Sequence, residues 1–457
     1  MNTNEVNLLN GIKRSKFSVQ INLTVVGMVL FTFYFSTLKS FLFSLQLGVI
    51  TLVFSIFLLL FDRLLFSNTG IKITKIDFLW ILFLMFFIIH VGFSGLIRAV
   101  TIVDIIVYSS GILFLLLVKM DINAYEYPLK IIKVIGIIFA CSTIFQYLYT
   151  DIYFSHILPL FQPNDQAAII NNFNGGGYAG FTNQTAHLAG YIVSGLGVLV
   201  FYRKKRKNLH NVSLILYLII LFTGLLLSAK RAHLIFGVIS LIFTGIISTS
   251  KKKAGNKILL LITSILLILA LSSILLNAIN LNNYSESPIV NFLMEIEYTI
   301  KGVIEGEDVS SGRLTLYGHS WDLFNDNIMF GIGWREFIEN SIGLIYPITS
   351  NRGSHPHNIY LQMLTEMGIT GFVFFIVPIL YLYYKTYRLL RLLSVKNGMD
   401  KWKNGIKFSF FSQTFFLLYG LTGNLLTDYN FLLTYFFACS ISLSALVSLK
   451  QFTKTNT

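Results

Sequence analysis

Long apolar runs dominate the chain, and their length predicts its fold. A helix needs roughly 20 apolar residues to cross a hydrocarbon core of about 30 Å. Runs of this length recur along the whole chain, separated by polar segments. They predict about twelve transmembrane helices, near residues 18–37, 41–61, 77–95, 101–118, 130–149, 181–202, 211–228, 231–249, 257–276, 358–384, 404–423 and 427–449.

Two of the polar connecting segments are much longer than the others, at roughly 150–180 and 277–357. A long connector in a compact membrane protein usually carries function. The predicted architecture is therefore an all-α polytopic membrane protein, with residues 1–457 forming a single transmembrane domain. Its large loop, 277–357, lies between the ninth and tenth spans, and chemistry is expected there.

Composition agrees with a membrane protein and excludes a soluble globular one. Of the 457 residues, 54% are hydrophobic and only 12% are charged, which lies far outside the usual balance of a soluble domain. The two cysteines, Cys141 and Cys439, fall inside predicted spans. Neither a disulfide framework nor a zinc site is therefore expected from them.

The basic residues predict which side of the membrane each segment faces. Short loops rich in Lys and Arg stay in the cytoplasm, and 27 of the 35 basic residues fall on one side if the N-terminus is placed inside. Both termini are then cytoplasmic and both long connectors face outward. The net charge of +14 is thus explained by basic residues on the cytoplasmic side, where they face anionic lipid. Binding of nucleic acid is not expected.

Eight basic residues remain on the predicted outer side, and three of them stand where a helix dipole disfavours a cation. Lys230 and Arg231 fall in the predicted first turn of a span, with Ser228 as its N-cap, and Arg313 falls in the first turn of a helix capped by Ser310 or Ser311. The positive end of a helix repels a cation by some tenths of a kcal/mol, up to about 1. An anion bound at both helix starts would explain these positions, since N-termini and guanidinium groups bind phosphate.

The other outer cations have a simpler interpretation. A single arginine beside the headgroups ordinarily contacts lipid, and this is the expectation for Arg98, Arg335 and Arg352. Lys301 is expected to be solvated. The helix that starts at Arg313 has an apolar stripe suited to the lipid interface, formed by Leu314, Tyr317, Trp321 and Phe324.

Two histidines stand directly before the tenth span, in the stretch SHPHNIYLQMLTEMGITG (354–371). At a helix N-terminus the imidazolium form of His357 is disfavoured, so a neutral base is available near pH 7. A metal site formed by His355, His357 and Glu366 is the competing interpretation. It is disfavoured because Glu366 lies on the opposite helix face, at about 100° per residue.

The remaining polar and small residues of this stretch predict packing. Glu366 is expected to form a hydrogen bond inside the bundle, where an intramembrane acid needs a partner. Gly368 and Gly371 predict a close contact between helices.

Four stretches together resemble one known family. His357-Asn358 followed by Gly368-x-x-Gly371 is similar to the signature of the O-antigen ligase and O-antigen polymerase (Wzy-type) superfamily. The stretches GFTNQTAHLAGY (180–191), LLLSAKRAHL (225–234) and SGRLTLYGHSWDLFNDNIMFGIGWREF (311–337) agree with it. The resemblance covers residues from about 175 to 371 and the topology.

The resemblance implies a function and a set of site residues. Members are GT-C-like multi-pass glycosyltransferases of the bacterial cytoplasmic (inner) membrane, and they take a glycan from a polyprenyl diphosphate on its outer face. It implies that Arg231 and Arg313 hold the diphosphate, that His357 deprotonates the acceptor hydroxyl, and that neither a metal ion nor another cofactor takes part. The transfer would invert the anomeric carbon. Residues expected to contact sugar or phosphate are Lys230, His355, Asn183, Gln184, His187 and Tyr317, and residues with a structural or open role are Asn358, Glu366, Gly368 and Gly371.

Three functions stay open at this point. A polymerase of lipid-linked repeat units, for O-antigen or capsular polysaccharide, is favoured over a ligase that moves the finished chain to a lipid A core. A transporter of lipid-linked sugars is the alternative from another class, although polar residues clustered in an outer loop favour surface chemistry. The expected partners are the glycan donor, the acceptor and membrane lipid, and a chain-length regulator stays an open partner.

Overall fold

A computed structural model describes parts of residues 52–61 and residues 73–93, 99–117, 122–202, 209–249, 312–345, 353–395 and 399–455. These residues form helices, turns and loops, with no strand among them. The helices are α1 (Lys75–Phe93), α2 (Ala99–Leu117), α3 (Glu126–Leu148), α4 (Pro163–Asn174), α5 (Thr185–Phe201), α6 (Leu209–Leu227), α7 (Arg231–Ile247), α8 (Arg313–Asp326), α9 (Glu336–Asn340), α10 (Ile359–Val395), α11 (Asp400–Tyr419) and α12 (Tyr429–Thr455).

The long helices coincide with predicted spans. Within the described ranges, nine helices overlap spans three to eight and ten to twelve, and α10 and α12 run on to Val395 and Thr455. Among the residues that the structure describes, four stretches are long and apolar enough to cross a membrane, namely Lys75–Phe93, Glu126–Leu148, Ile359–Ser394 and Phe431–Ser448. The predicted spans 18–37 and 257–276 lie outside the described residues, so the number twelve and the sidedness stay predictions.

Small residues allow α3 to lie close against α5 and α6. A Cβ added at Gly136 would stand 2.9 Å from the Cα of Gly195, and one added at Gly224 would stand 2.8 Å from the Cα of Ala140. Without an aqueous phase to drive association, helices in lipid gain their packing energy from such close backbone approach.

The predicted connector at 150–180 is partly helical. It contains α4, which starts with Pro163 in its first turn, where the missing N–H costs no hydrogen bond. Two side-chain hydrogen bonds hold α4 on the start of α5. The Thr185 hydroxyl donates to Asn172 Oδ1 (3.0 Å), and Asn183 Nδ2 donates to Asp165 Oδ1 (3.3 Å).

The loop after α8 is inserted into the helix bundle. Trp334 is 3% exposed, and its ring packs edge-on against Phe87 of α1 (5.0 Å between centroids) and Tyr108 of α2 (6.1 Å). This part of the predicted loop 277–357 is therefore packed into the fold. Its residues 277–311 and 346–352 lie outside the described ranges.

Helix α10 is broken at Gly368, whose dihedral angles are φ 66° and ψ −173°. The loop segment 328–333 runs across the break, and its backbone satisfies the exposed peptide groups. These hydrogen bonds are Ile332 N to Thr365 O (2.9 Å), Gly333 N to Glu366 O (3.0 Å), Ile369 N to Ile328 O (2.8 Å) and Thr370 N to Met329 O (3.3 Å). The prediction that Gly368 mediates a contact between helices is wrong, because its close neighbour is a loop.

Gly368→Ala is expected to destabilise the protein by at least about 1–3 kcal/mol, the cost of a residue forced into a sparsely populated backbone conformation. The new Cβ would also stand within 2.4 Å of the Met329 carbonyl group. The measurement is thermal unfolding in mild detergent. Gly318→Ala in α8 is the matched control, because a Cβ there meets nothing within 4 Å. Equal unfolding midpoints for the two variants would contradict the role given to Gly368.

Candidate functional site

The segments that carry the predicted site residues meet at one end of the bundle. Three sets of hydrogen bonds join elements at this end: one joins the segment after α4 to the end of α6, and the other two join α8, α10 and the residues after α11 to one another. They are Tyr178 N to Leu227 O (2.9 Å), Ile359 N to Gly420 O (2.9 Å), and the Tyr317 hydroxyl to the carbonyls of His357 (3.3 Å) and Leu421 (3.2 Å). Residues far apart in sequence are thereby placed around His357.

His357 occupies a constrained position just before α10. Its backbone has φ 55°, a region that costs a non-glycine residue free energy and is found at functional sites. Asn358 caps the helix, since its Oδ1 accepts hydrogen bonds from the N–H groups of Tyr360 (3.0 Å) and Leu361 (3.1 Å). Nε2 of His357 lies 3.3 Å from the hydroxyl of Ser354. The structure thus gives Asn358 a structural role and holds the imidazole in place.

The His357 imidazole is neutral at physiological pH. Burial lowers its pKa to about 4, and the positive charges of Arg313 and Lys230 add to the effect. Three predicted site residues are therefore close enough to interact electrostatically. A neutral imidazole can accept a proton, as general base catalysis requires.

His355 is the second neutral imidazole of the site. Burial lowers its pKa to about 3, with further contributions from Arg335 and His357. Its buried Nδ1 has no hydrogen-bond partner among the described residues. His355 is therefore within electrostatic reach of both His357 and the arginine of the inserted loop.

Arg231 and Arg313 are the first residues of α7 and α8, so both predicted first-turn positions are confirmed. The predicted caps are wrong. Lys230 itself is the N-cap of α7, and Gly312, at φ 79°, precedes α8. Ser228 lies in the turn directly after α6, where its hydroxyl donates to Leu225 O (2.7 Å) and accepts from the Lys230 N–H (3.3 Å).

Arg313 has no acidic partner among the described residues, and this distinguishes it from Arg335. Its charge acts on the nearby groups Tyr317, His357 and Tyr419. A half-buried guanidinium of this kind favours an anionic ligand, because charge-assisted hydrogen bonds to phosphate are among the strongest available.

Two of the predicted sugar contacts are buried and engaged with protein groups. Asn183 Oδ1 lies 3.1 Å from His187 Nδ1, and His187 Nε2 lies 3.9 Å from Asp428 Oδ1. The amide of Asn183 also reaches Asp165 of α4. This arrangement links α4, α5 and the start of α12, and sequence analysis did not single out Asp428 or Asp165.

Lys230 and Gln184 line a cavity of about 320 Å³ next to α4. Its other walls are Ala168, Asn171, Asn172, Thr185 and Ala186. Lys230 contributes both to this cavity and to the charge around His357. The cavity therefore adjoins the site.

Arg335 forms a buried ion pair, so the prediction that it contacts lipid is wrong. Its Nε and Nη2 donate to Asp104 Oδ2 (2.6 Å) and Oδ1 (2.9 Å). The same carboxylate accepts from Trp334 Nε1 (2.8 Å) and the Tyr429 hydroxyl (2.7 Å). A lone aspartate in an apolar run needs a buried partner, and this signal could have identified Asp104 from the sequence.

Glu366 and Gly371, both in α10, contact other residues of the fold. Glu366 is fully buried and accepts a hydrogen bond from Gln362 Nε2 (3.1 Å), which confirms the predicted hydrogen bond inside the bundle. A Cβ at Gly371 would stand 3.0 Å from the ring of Phe86 in α1, so Gly371 does allow close helix packing. Within the described ranges, no three His, Cys, Asp or Glu side chains gather as metal ligands would.

Residues 216–376 match the family model described as O-antigen ligase. The match supports the predicted superfamily over these residues. It covers less than half of the chain but includes both basic helix starts and the histidine stretch. No curated protein matches the chain.

The O-antigen ligase segment and the site overlap in part. Arg231, Arg313 and His357 lie inside it, whereas Asn183 and Gln184 precede it. The cavity walls formed by α4 and α5 are also outside the matched residues. The part of the site nearest to His357 thus lies in the matched segment, and of the residues that line the neighbouring cavity only Lys230 does.

Proposed function

We propose that the protein is a glycosyltransferase that moves a glycan from polyprenyl diphosphate to a sugar hydroxyl, on the outer face of the bacterial cytoplasmic membrane. One observation carries the proposal. A neutral imidazole, His357, lies within the electrostatic reach of Arg313 and Lys230 at a single end of the bundle. The O-antigen ligase match over the same residues supports it, as does the predicted topology with both termini in the cytoplasm.

The charges account for the proposed reaction. The acceptor hydroxyl loses its proton to His357, and its oxygen forms a bond to the anomeric carbon. The bond from that carbon to the diphosphate oxygen breaks, and the electron pair leaves with polyprenyl diphosphate. Fixed cations at Arg231 and Arg313 stabilise the growing negative charge without reorganisation. Attack opposite to the leaving group inverts the anomeric carbon, and no step in this scheme requires a metal ion.

Within the superfamily we propose a polymerase of lipid-linked repeat units, with a lipid A core ligase as the second candidate. The match to the O-antigen ligase family model fits both candidates, and nothing among the described residues points to a lipid A acceptor. Analysis of lipid-linked glycans in a deletion strain discriminates between them. Single repeats accumulate without a polymerase, and long unattached chains accumulate without a ligase.

The direct test is an assay of the purified full-length protein in lipid nanodiscs with a polyprenyl-diphosphate oligosaccharide. Formation of a longer lipid-linked glycan supports the polymerase. Transfer only to an added lipid A core supports the ligase. Movement of the lipid-linked sugar across the bilayer without any new glycosidic bond would contradict both and favour a transporter.

Arg313→Ala is expected to lower kcat/KM for the donor by about 10- to 100-fold, because hydrogen bonds to charged groups contribute about 1.5–3 kcal/mol. Arg313→Lys should recover part of the loss, since it restores charge without the bidentate geometry. The measurement is initial rate against donor concentration. Asp326→Ala at the exposed end of the same helix is the control. Unchanged donor kinetics in Arg313→Ala would contradict the proposal that Arg313 binds the diphosphate.

A further inference from the structure

The cavity beside α4 has mostly polar walls. Its lining carries three amides, from Asn171, Asn172 and Gln184, together with the Thr185 hydroxyl and the Lys230 amine. The methyl groups of Ala168 and Ala186 complete it. Its volume of about 320 Å³ lies within the range of about 300–1,000 Å³ that is typical of small-ligand sites.

One wall of the cavity is held in a defined orientation. Asn172 Nδ2 donates to the Ala168 carbonyl (2.8 Å), and Asn172 Oδ1 accepts from the Thr185 hydroxyl (3.0 Å). The first bond lies within α4, and the second joins α4 to the first residue of α5. A wall fixed in this way loses little entropy when a ligand binds.

The other two amides are available to a ligand. The side chains of Asn171 and Gln184 are exposed, and neither forms a hydrogen bond to a described residue. Gln184 occupies the N-cap position of α5 without using its side chain as a cap. Each amide offers two donors and a carbonyl acceptor.

We propose that this cavity is a saccharide subsite, which holds one sugar unit of the glycan next to the reacting bond. The proposal rests on the proposed function and extends it to α4, a helix outside the matched family segment. Hydroxyl and acetamido groups both donate and accept hydrogen bonds, as amides do, and the alanine methyls suit the C–H faces of a sugar ring. Lys230 joins the subsite to the charges around His357.

A phosphate fits these walls less well than a sugar does. Phosphate oxygens only accept hydrogen bonds and attract several cations, whereas the cavity contains one amine and three amides whose carbonyl oxygens repel an anion. The lipid diphosphate therefore belongs with Arg231 and Arg313, and the sugar belongs with α4.

Two neighbouring alanines of α4 provide a matched test. Ala168 lines the cavity, whereas Ala167 is exposed on the same helix and does not. Ala168→Phe fills the cavity, so it should weaken binding of a released repeat-unit oligosaccharide by at least ~10-fold, while Ala167→Phe binds like wild type. Saturation-transfer NMR on the full-length protein in nanodiscs measures this binding. Equal binding by both variants would overturn the subsite.

Asn171→Ala is the milder variant, and Asn164→Ala at the exposed start of the same helix is its control. Losing one hydrogen bond should raise the KM for the glycan by ~3- to 10-fold with kcat unchanged. A rise in KM for the lipid-linked donor places the donor's sugar in the cavity, and a rise in KM for a short acceptor places the acceptor there. An unchanged KM for both substrates contradicts the proposal.

The outcomes separate this proposal from the proposed function. If His357→Ala abolishes transfer but the α4 variants match their controls, the subsite fails and the enzyme assignment stands. If transfer is absent in wild type as well, the proposed function fails first. Inorganic pyrophosphate is the competing probe, and binding of pyrophosphate but not oligosaccharide in this cavity would overturn the saccharide assignment.

Discussion

His357→Ala is expected to reduce kcat by about 10²- to 10⁴-fold, the usual contribution of a positioned general base. The imidazole is neutral, constrained by its backbone conformation and close to two cations. Removing it leaves the acceptor hydroxyl protonated during attack. The measurement is single-turnover transfer with saturating donor, which separates chemistry from product release.

The control for this variant is His156→Ala. His156 is exposed in the connector before α4, so its loss should leave transfer unchanged. Thermal unfolding of both variants should match wild type. A folded His357→Ala protein with full turnover would show that another group accepts the proton.

The activity of the wild-type protein should also depend on pH as expected if His357 is the general base. The base works when it is deprotonated, so kcat/KM should stay level at neutral pH and fall as the pH drops through about 4, the pKa of the free enzyme. Bound diphosphate offsets the charges of Arg313 and Lys230 and stabilises the imidazolium form. The pKa in the complex should therefore rise, and kcat should fall at a higher pH than kcat/KM does. Samples returned to pH 7 must regain full activity, which excludes acid unfolding.

Asp104→Leu should be the most destabilising single change, at about 3–5 kcal/mol, because it leaves the Arg335 guanidinium buried without its partner. The carboxylate is fully buried and accepts four hydrogen bonds, from Arg335, Trp334 and Tyr429. These bonds hold the inserted loop against α2 and α12. The loss of stability is measured by unfolding the protein in mild detergent with heat or with denaturant.

A double variant tests whether the instability comes from the unpaired guanidinium of Arg335. Asp104→Leu combined with Arg335→Leu replaces the pair by apolar groups, so stability should partly return. Lys130→Gln is the control, because the exposed pair of Lys130 with Glu126 (3.3 Å) contributes only about 0.3–0.5 kcal/mol. If Asp104→Leu were as mild as Lys130→Gln, the ion pair would not anchor the loop.

The ion pair of Asp104 and Arg335 should also help to position the site, because it anchors the loop that lies next to the histidine stretch. The segment 328–333 crosses the break of α10 at Gly368, and Arg335 lies two residues after it. Arg335 in turn acts on His355, two residues before His357. Asp104 variants that still fold should therefore lose transfer activity through misplacement of the histidine stretch.

The amino-acid sequence alone determined the helices and the positions of the strongest site candidates. Apolar runs of about 20 residues define helices whatever they pack against, so nine of the predicted spans coincide with described helices, although α10 and α12 run on to Val395 and Thr455. Arg231 and Arg313 were placed correctly at helix starts, although the serine caps predicted for both helices were wrong. The family resemblance and the neutral His357 also followed from short stretches.

Only the tertiary structure decided which polar groups pair across the bundle. Asp104 and Arg335 are 231 residues apart, and their attraction depends on helix packing that no local pattern encodes. The same holds for the break at Gly368, which exists because a distant loop supplies its hydrogen bonds, and for the cavity between α4 and α5. The local sequence thus defines the helices. Which polar groups pair depends on burial, because a polar group that is removed from water needs a hydrogen-bond partner within the fold.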